Sequence, residues 1–117
     1  MKIAIEQINC IVSNKLKHLI IEKTSGLNNV FDSIEYCKVI AEHKKDDKKK
    51  NQVIEITLTV PQDTLFAKDH AETFEIALEM VVMELQQQLK KYKAKISKTN
   101  EYAKAWQKVE ENSIDYF

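Results

Sequence analysis

"NQVIEITLTV", Asn51 to Val60, sets Ile54, Ile56, Leu58 and Val60 in alternation with Glu55, Thr57 and Thr59. Successive side chains of a strand point to opposite faces, so the pattern predicts a strand with one face for a core and one for solvent. Upstream of it lies "SIEYCKVIAEH", Ser33 to His43, again rich in β-branched and apolar residues, and "KKDDKKK", Lys44 to Lys50, joins the two. A polar run between two such stretches reads as a hairpin loop, which makes them antiparallel neighbours. "PQD", Pro61 to Asp63, is the next turn signal, and "TLFAKD" after it is a short fourth strand. At the other end, "KIAIEQIN" places Ile3 and Ile5 on one face, a half-buried strand over about residues 2 to 9.

Elsewhere the period changes from two to that of a helix. Ser13 is placed to cap a first helix through its hydroxyl, and Leu16, Leu19, Ile20, Leu27 and Val30 follow at helical spacing, so that helix is expected from Asn14 toward Val30. "TSG", Thr24 to Gly26, is its weak point, because glycine is unfavourable inside a helix and favoured just past its end. In the second half Phe74, Ala77, Leu78, Val81, Leu85, Leu89, Tyr92 and Ile96 form one stripe of a helix reaching Lys98. The order βαβββα predicts an α+β fold, a four-stranded sheet with two helices packed on one face.

A chain of 117 residues is long enough for one domain whose core needs no metal or disulfide. No run of eighteen apolar residues occurs and "MKIAIEQIN" lacks the regions of a secretory signal, so a cytoplasmic protein is expected. Cys10 and Cys37 sit in apolar contexts without ligand spacing and read as buried, reduced thiols. One glycine and one proline leave no room for a phosphate-cradling glycine loop. His18, His43 and His70 keep no fixed spacing to a carboxylate or thiol, and Met80 and Met83 read as filling of a helix interior. No catalytic, metal or cofactor site is expected.

Charge is the feature left to explain. Eighteen lysines balance eighteen acids, and arginine is absent. Yet residues 85–98 hold five lysines and no carboxylate, whereas Asp69, Glu72, Glu75, Glu79 and Glu84 precede them with no lysine between Asp69 and Leu89. Counted at 100° per residue, Lys91, Lys95 and Lys98 lie along one flank of the apolar stripe and Lys90 and Lys93 along the other. Acids near a helix start and bases near its end also complement the macrodipole, so a solvated helix explains the segregation without a ligand. Length favours a ligand: from Phe74 to Ile96 a helix advances about 33 Å against about 27 Å for an eight-residue strand, which lets a basic end overhang the sheet toward a polyanion. Lys44 to Lys50 reads as a solvated loop; Lys15, Lys17 and Lys23 add charge on the first helix, Lys23 at the stripe edge where its stem packs and its ammonium reaches outward.

"MKIAIEQINCIVSNKLKHLIIEK" resembles the opening of the bacterial ribosome hibernation-promoting factor and ribosome-associated inhibitor family, and "LFAKDHAETFEIALEMVVMELQQQLKKYK" is similar to its closing strand and second helix. The resemblance covers about residues 1 to 96 as a pattern over the whole domain rather than one diagnostic motif. It implies a non-enzymatic protein that binds the small ribosomal subunit and its rRNA in the decoding channel, where messenger and transfer RNA otherwise sit, and keeps idle ribosomes protected in stationary phase or stress. It implies no DNA, membrane or small-molecule partner. By the same resemblance the rRNA-binding residues are Lys17 and Lys23 on the first helix and Lys90, Lys91 and Lys93 on the second, and Lys95 on the same basic end is expected to join them. Gly26, Asn29, Gln86 and Gln88 depart from it, standing where family members commonly carry arginine or lysine.

The resemblance divides the chain into a ribosome-binding domain over residues 1–98 and a C-terminal tail over residues 99–117, without room for the second domain of long family members. The tail looks more like the inhibitor branch; Tyr102, Trp106 and Val109 recur in it at the spacing of a short amphipathic helix. Two other readings compete: a protein-interaction module docking through the tail and the acidic start of helix two, and a general binder of structured RNA.

Overall fold

The alternation in the central hairpin folds as two adjacent strands of one sheet. The computed structural model describes residues 1–45 and 51–110, with side chains through Ile96. Its elements are β1 (Lys2–Ile8), α1 (Asn14–Ser25), a 3-10 turn (Gly26–Asn29), β2 (Tyr36–His43), β3 (Gln52–Val60), β4 (Asp63–Ala71) and α2 (Phe74–Glu110). The sheet order is β1-β2-β3-β4, with β1 parallel to β2 and the other two pairings antiparallel. A parallel neighbour needs a crossover, which α1 supplies.

Register brings like residues into rows across all four strands. Ile3, Cys37, Leu58 and Leu65 make one row and Ile5, Val39, Ile56 and Ala67 the next, and all eight belong to the core cluster or pack against it. Leu16, Ile20 and Leu27 from the first helical segment join the same cluster, as do Ala77, Leu78, Val81, Leu85, Leu89 and Tyr92 from α2. The two helices therefore cover one face of the sheet. The opposite face carries Lys38 paired with Glu6 at 3.4 Å and Lys68 with Glu55 at 4.0 Å.

Local chemistry sets the ends. The Ser13 hydroxyl accepts from the Leu16 amide at 3.1 Å and starts α1. The α-helix ends at Ser25 rather than running to Val30, and the chain tightens into the 3-10 turn. Gly26 itself has φ −61 and ψ −22, so no left-handed conformation calls for glycine there. Thr24, fully buried, is satisfied because its hydroxyl donates to the Ile20 carbonyl at 2.7 Å. Burial pushes the Cys37 thiol up to about 11, with a hydrogen bond to Thr24 acting the other way. The β3–β4 hairpin turns on Pro61 and Gln62, with Val60 paired to Asp63 and Gln62 at φ 64.

Three expectations change in extent. β2 starts at Tyr36, because at Glu35 the carbonyl accepts from the Lys2 amide at 3.2 Å and the amide donates to the Thr59 carbonyl at 2.8 Å, outside the regular ladder. β4 is nine residues long, since its pairing with β3 continues to Gln52 opposite Ala71. α2 passes Lys98 and keeps a helical backbone through the first part of the stretch read as a tail, to Glu110. One expectation is reversed: Met80 and Met83 are 38% and 64% exposed. At 100° per residue they lie on the side of α2 opposite Leu78 and Leu85. Residues 46–50 of the expected basic loop, the side chains of Lys98, Tyr102, Trp106 and Val109, and residues 111–117 lie outside what is described.

Candidate nucleic-acid interface

The lysines singled out above occupy two helices, and their relation depends on how those helices meet. Leu19 and Glu22 of α1 share a cleft with Phe74 and Glu75 at the start of α2. Further along, Glu22, Lys23 and Gly26 share one with Glu79, Met83 and Gln86. The helices thus run in the same direction, with a groove between them. Beyond the end of α1 the groove continues as a cleft between Asn28–Asp32 and α2, bounded there by Lys93 and Ile96.

Lys23 and Lys93 stand on this groove, and Lys90 lies on the same flank of α2 as Gln86 and Lys93 by helical spacing. Lys91 and Lys95 lie on the other flank, the β4 side, where Gln88 Nε2 donates to the Phe66 carbonyl at 2.8 Å. Lys17 is half-buried and about 120° around α1 from Lys23, so it faces away from the groove. The six residues are therefore not one cluster. Lys23, Lys90 and Lys93 border one groove, Lys91 and Lys95 the far side of the same helix, and Lys17 a third direction.

Lys90, Lys91, Lys93 and Lys95 are all exposed. Among the described residues no carboxylate forms an ion pair with Lys90, Lys91 or Lys93. Lys23 is paired with Glu79 across the groove at 3.7 Å, both side chains remaining open to solvent, a contact of small energetic value. Upstream on α2 the field changes sign: burial first, and then the neighbouring Asp69 carboxylate, hold the Glu84 carboxyl above its usual range. A polyanion lying on α2 is attracted at the lysine end and repelled at the start.

Tyr92 anchors the lysine end of α2. Its hydroxyl donates to the Pro61 carbonyl at 2.6 Å, and its ring meets Phe31 edge to face at 5.2 Å and 88°. These contacts tie the β3–β4 turn and the segment after α1 to the helix turn that bears Lys91 and Lys93. Sequence spacing placed the α2 lysines on their flanks, but it did not bring Gly26, Asn29 and Gln86 together beside Lys23, as the helix pairing does. Their common i+3 and i+4 spacing on each helix was the available signal. Where basic residues are expected by resemblance, this stretch of groove is lined by two neutral amides and a bare backbone. Among the described residues no group of three or more histidine, cysteine or acidic side chains is arranged to hold a metal ion, and no helix is long and apolar enough to cross a membrane.

Comparison with solved structures places the fold beside a ribosomal subunit interface protein from Coxiella burnetii, with TM-score 0.70 and 23% identity over 80% of this chain and 99% of that one. The N-terminal domain of Protein Y from Thermus thermophilus is similar at TM-score 0.69 and 18% identity, over 79% of this chain and 99% of the other. No curated protein sequence matches. Residues 3–97 match one family model across both helices and all four strands, and the chain belongs to the Sigma 54 modulation protein / S30EA ribosomal protein family.

Proposed function

We propose that the protein is a non-enzymatic ribosome hibernation factor of the cytoplasm, which binds the small ribosomal subunit in its decoding channel and excludes messenger and transfer RNA from idle ribosomes. Family membership over residues 3–97 carries this reading. The ribosomal subunit interface protein that shares the fold is consistent with it. Its chemistry would come from Lys17, Lys23, Lys90, Lys91, Lys93 and Lys95, set against rRNA phosphates. Lysine meets phosphate as a point charge without the guanidinium fork of arginine, so backbone contacts dominate over readout of guanine edges. Inhibition is then a matter of occupancy: the protein and the RNAs compete for one space, and no bond is made or broken. The neutral groove at Gly26, Asn29 and Gln86 lowers the electrostatic share of affinity relative to a fully basic surface. Residues 1–98 form the ribosome-binding unit, and the tail lies along the messenger path, where it affects inhibition more than folding.

Co-sedimentation tests this directly. The protein should pellet with small subunits and with whole ribosomes and suppress a cell-free translation reaction. Saturating messenger and transfer RNA together should release it; binding unchanged by that excess would mean a site outside the decoding channel.

A further inference from the structure

Among the described residues, the exposed large apolar side chains of α2 lie in its acidic half. Ile76, Met80 and Met83 are 50%, 38% and 64% exposed and follow at i, i+4 and i+7, so they form a stripe on the side of the helix away from the sheet. Ile11, 90% exposed, stands at the head of the neighbouring cleft that Phe74 and Glu75 help to line. Glu75 and Glu79 border the stripe on the groove side and Glu84 on the other, with Glu72 just ahead of the helix; no lysine occurs between Asp69 and Leu89, and from α1 Lys23 meets Glu79 while Lys15 shares the cleft with Glu75. A hydrophobic stripe bordered by charge of one sign is a recognition surface for a helix of the opposite sign.

Two occupants conflict with the charge. RNA would bring phosphates against the four carboxylates. A second copy of this chain joined stripe to stripe, antiparallel about Met80, would set Glu79 against its counterpart and bring the two acidic halves together, like charge on like. We propose that this face docks a basic amphipathic protein segment, a helix with apolar residues at three- and four-residue spacing bordered by lysine or arginine. The site goes beyond the ribosome-binding role: it meets that surface at Lys23, which faces Glu79 across the groove, while Lys93 lies about 20 Å further along α2 from Met80.

The test uses the full chain, isotopically labelled, and two synthetic helical peptides with the same apolar spacing, one bearing lysine and arginine at the flanking positions and one bearing glutamate. The basic peptide should give saturable amide shifts centred on residues 75–84, weakening as salt is raised. The double variant Met80→Gln, Met83→Gln should bind it about tenfold more weakly through lost apolar burial. The double variant Glu75→Gln, Glu79→Gln should lose most of the salt dependence. All four positions are exposed, and unchanged circular dichroism checks that each variant is folded. Equal binding of the acidic peptide, full affinity of the methionine variant, shifts at these residues on adding a single-stranded RNA oligonucleotide, or concentration-dependent self-association through the stripe would each overturn the proposal.

Discussion

Tyr92 is the side chain on which most of the lysine-bearing end depends. Replacing it with phenylalanine removes the hydrogen bond to Pro61 and keeps the edge-to-face contact with Phe31, so Tyr92→Phe should cost about 1 kcal/mol in chemical denaturation. Burial, then the charges of Asp63 and Glu35, raise the Tyr92 phenol above its ordinary value of 10.0. A group whose folded value is raised gives its full stabilisation below the unfolded value and loses it as pH climbs. Stability of the native protein should therefore fall above about pH 10, and the fall should be shallower in Tyr92→Phe; identical alkaline profiles would show that this phenol does not contribute. Its core position was legible, as a member of the α2 stripe, but its hydroxyl partner was not, because spacing along a helix carries no information on which loop lies beyond it. Met80 and Met83 teach the reverse lesson. Their helical angle places them outside, and their hydrophobic identity alone suggested the core.

The elements follow local rules that single substitutions can probe. Proline fixes φ near −65°, and with Gln62 at φ 64 the β3–β4 hairpin has the pattern of a type II turn, whose third position favours glycine. Gln62→Gly should stabilise the protein by about 1 kcal/mol, by removing the cost of a left-handed non-glycine residue; a destabilised variant would mean that the Gln62 side chain makes a compensating contact. Gly26 is the opposite case. It sits in right-handed backbone at the end of α1, and a Cβ there would meet nothing within 4 Å. Gly26→Ala should raise stability by about 0.4 to 1 kcal/mol through the unfolded state, visible as a higher denaturation midpoint with unchanged slope. The break expected at "TSG" falls there, with Gly26 just past the last residue of α1, although in right-handed backbone. Strand and helix existence was readable because burial imposes periods of two and 3.6. Ends shifted by a few residues wherever a ladder or a helix simply continued, as in β4 and α2.

Across the whole molecule, every buried side chain among the described residues lies at or before Tyr92, and these already pack both helices against the four strands. Deleting residues 99–117 should lower the melting temperature by less than about 4 °C; a larger loss in calorimetry would make that segment part of the fold. The pairing of α1 with α2 in the same direction, which sets Lys23 and Lys93 along one groove, was not readable, since each stripe says which side of a helix is buried but not which turn of its neighbour lies opposite. The charge segregation along α2 was readable, and it leaves two causes to separate. If the lysines only complement the helix dipole, neutralising them weakens the helix and leaves ribosome affinity alone; if they meet rRNA phosphates, binding and folding part company. The decisive measurement is small-subunit affinity and unfolding free energy of the native chain and of Lys90→Gln, Lys91→Gln, Lys93→Gln, Lys95→Gln combined, over a range of salt. With about four phosphates contacted, the native log-log salt slope should be about −3, and the variant should lose most of it and bind far more weakly. Stability should change by less than about 0.5 kcal/mol per site. Unchanged ribosome affinity at every salt concentration, with a fall in helix stability alone, would contradict an rRNA-binding role for this end of α2.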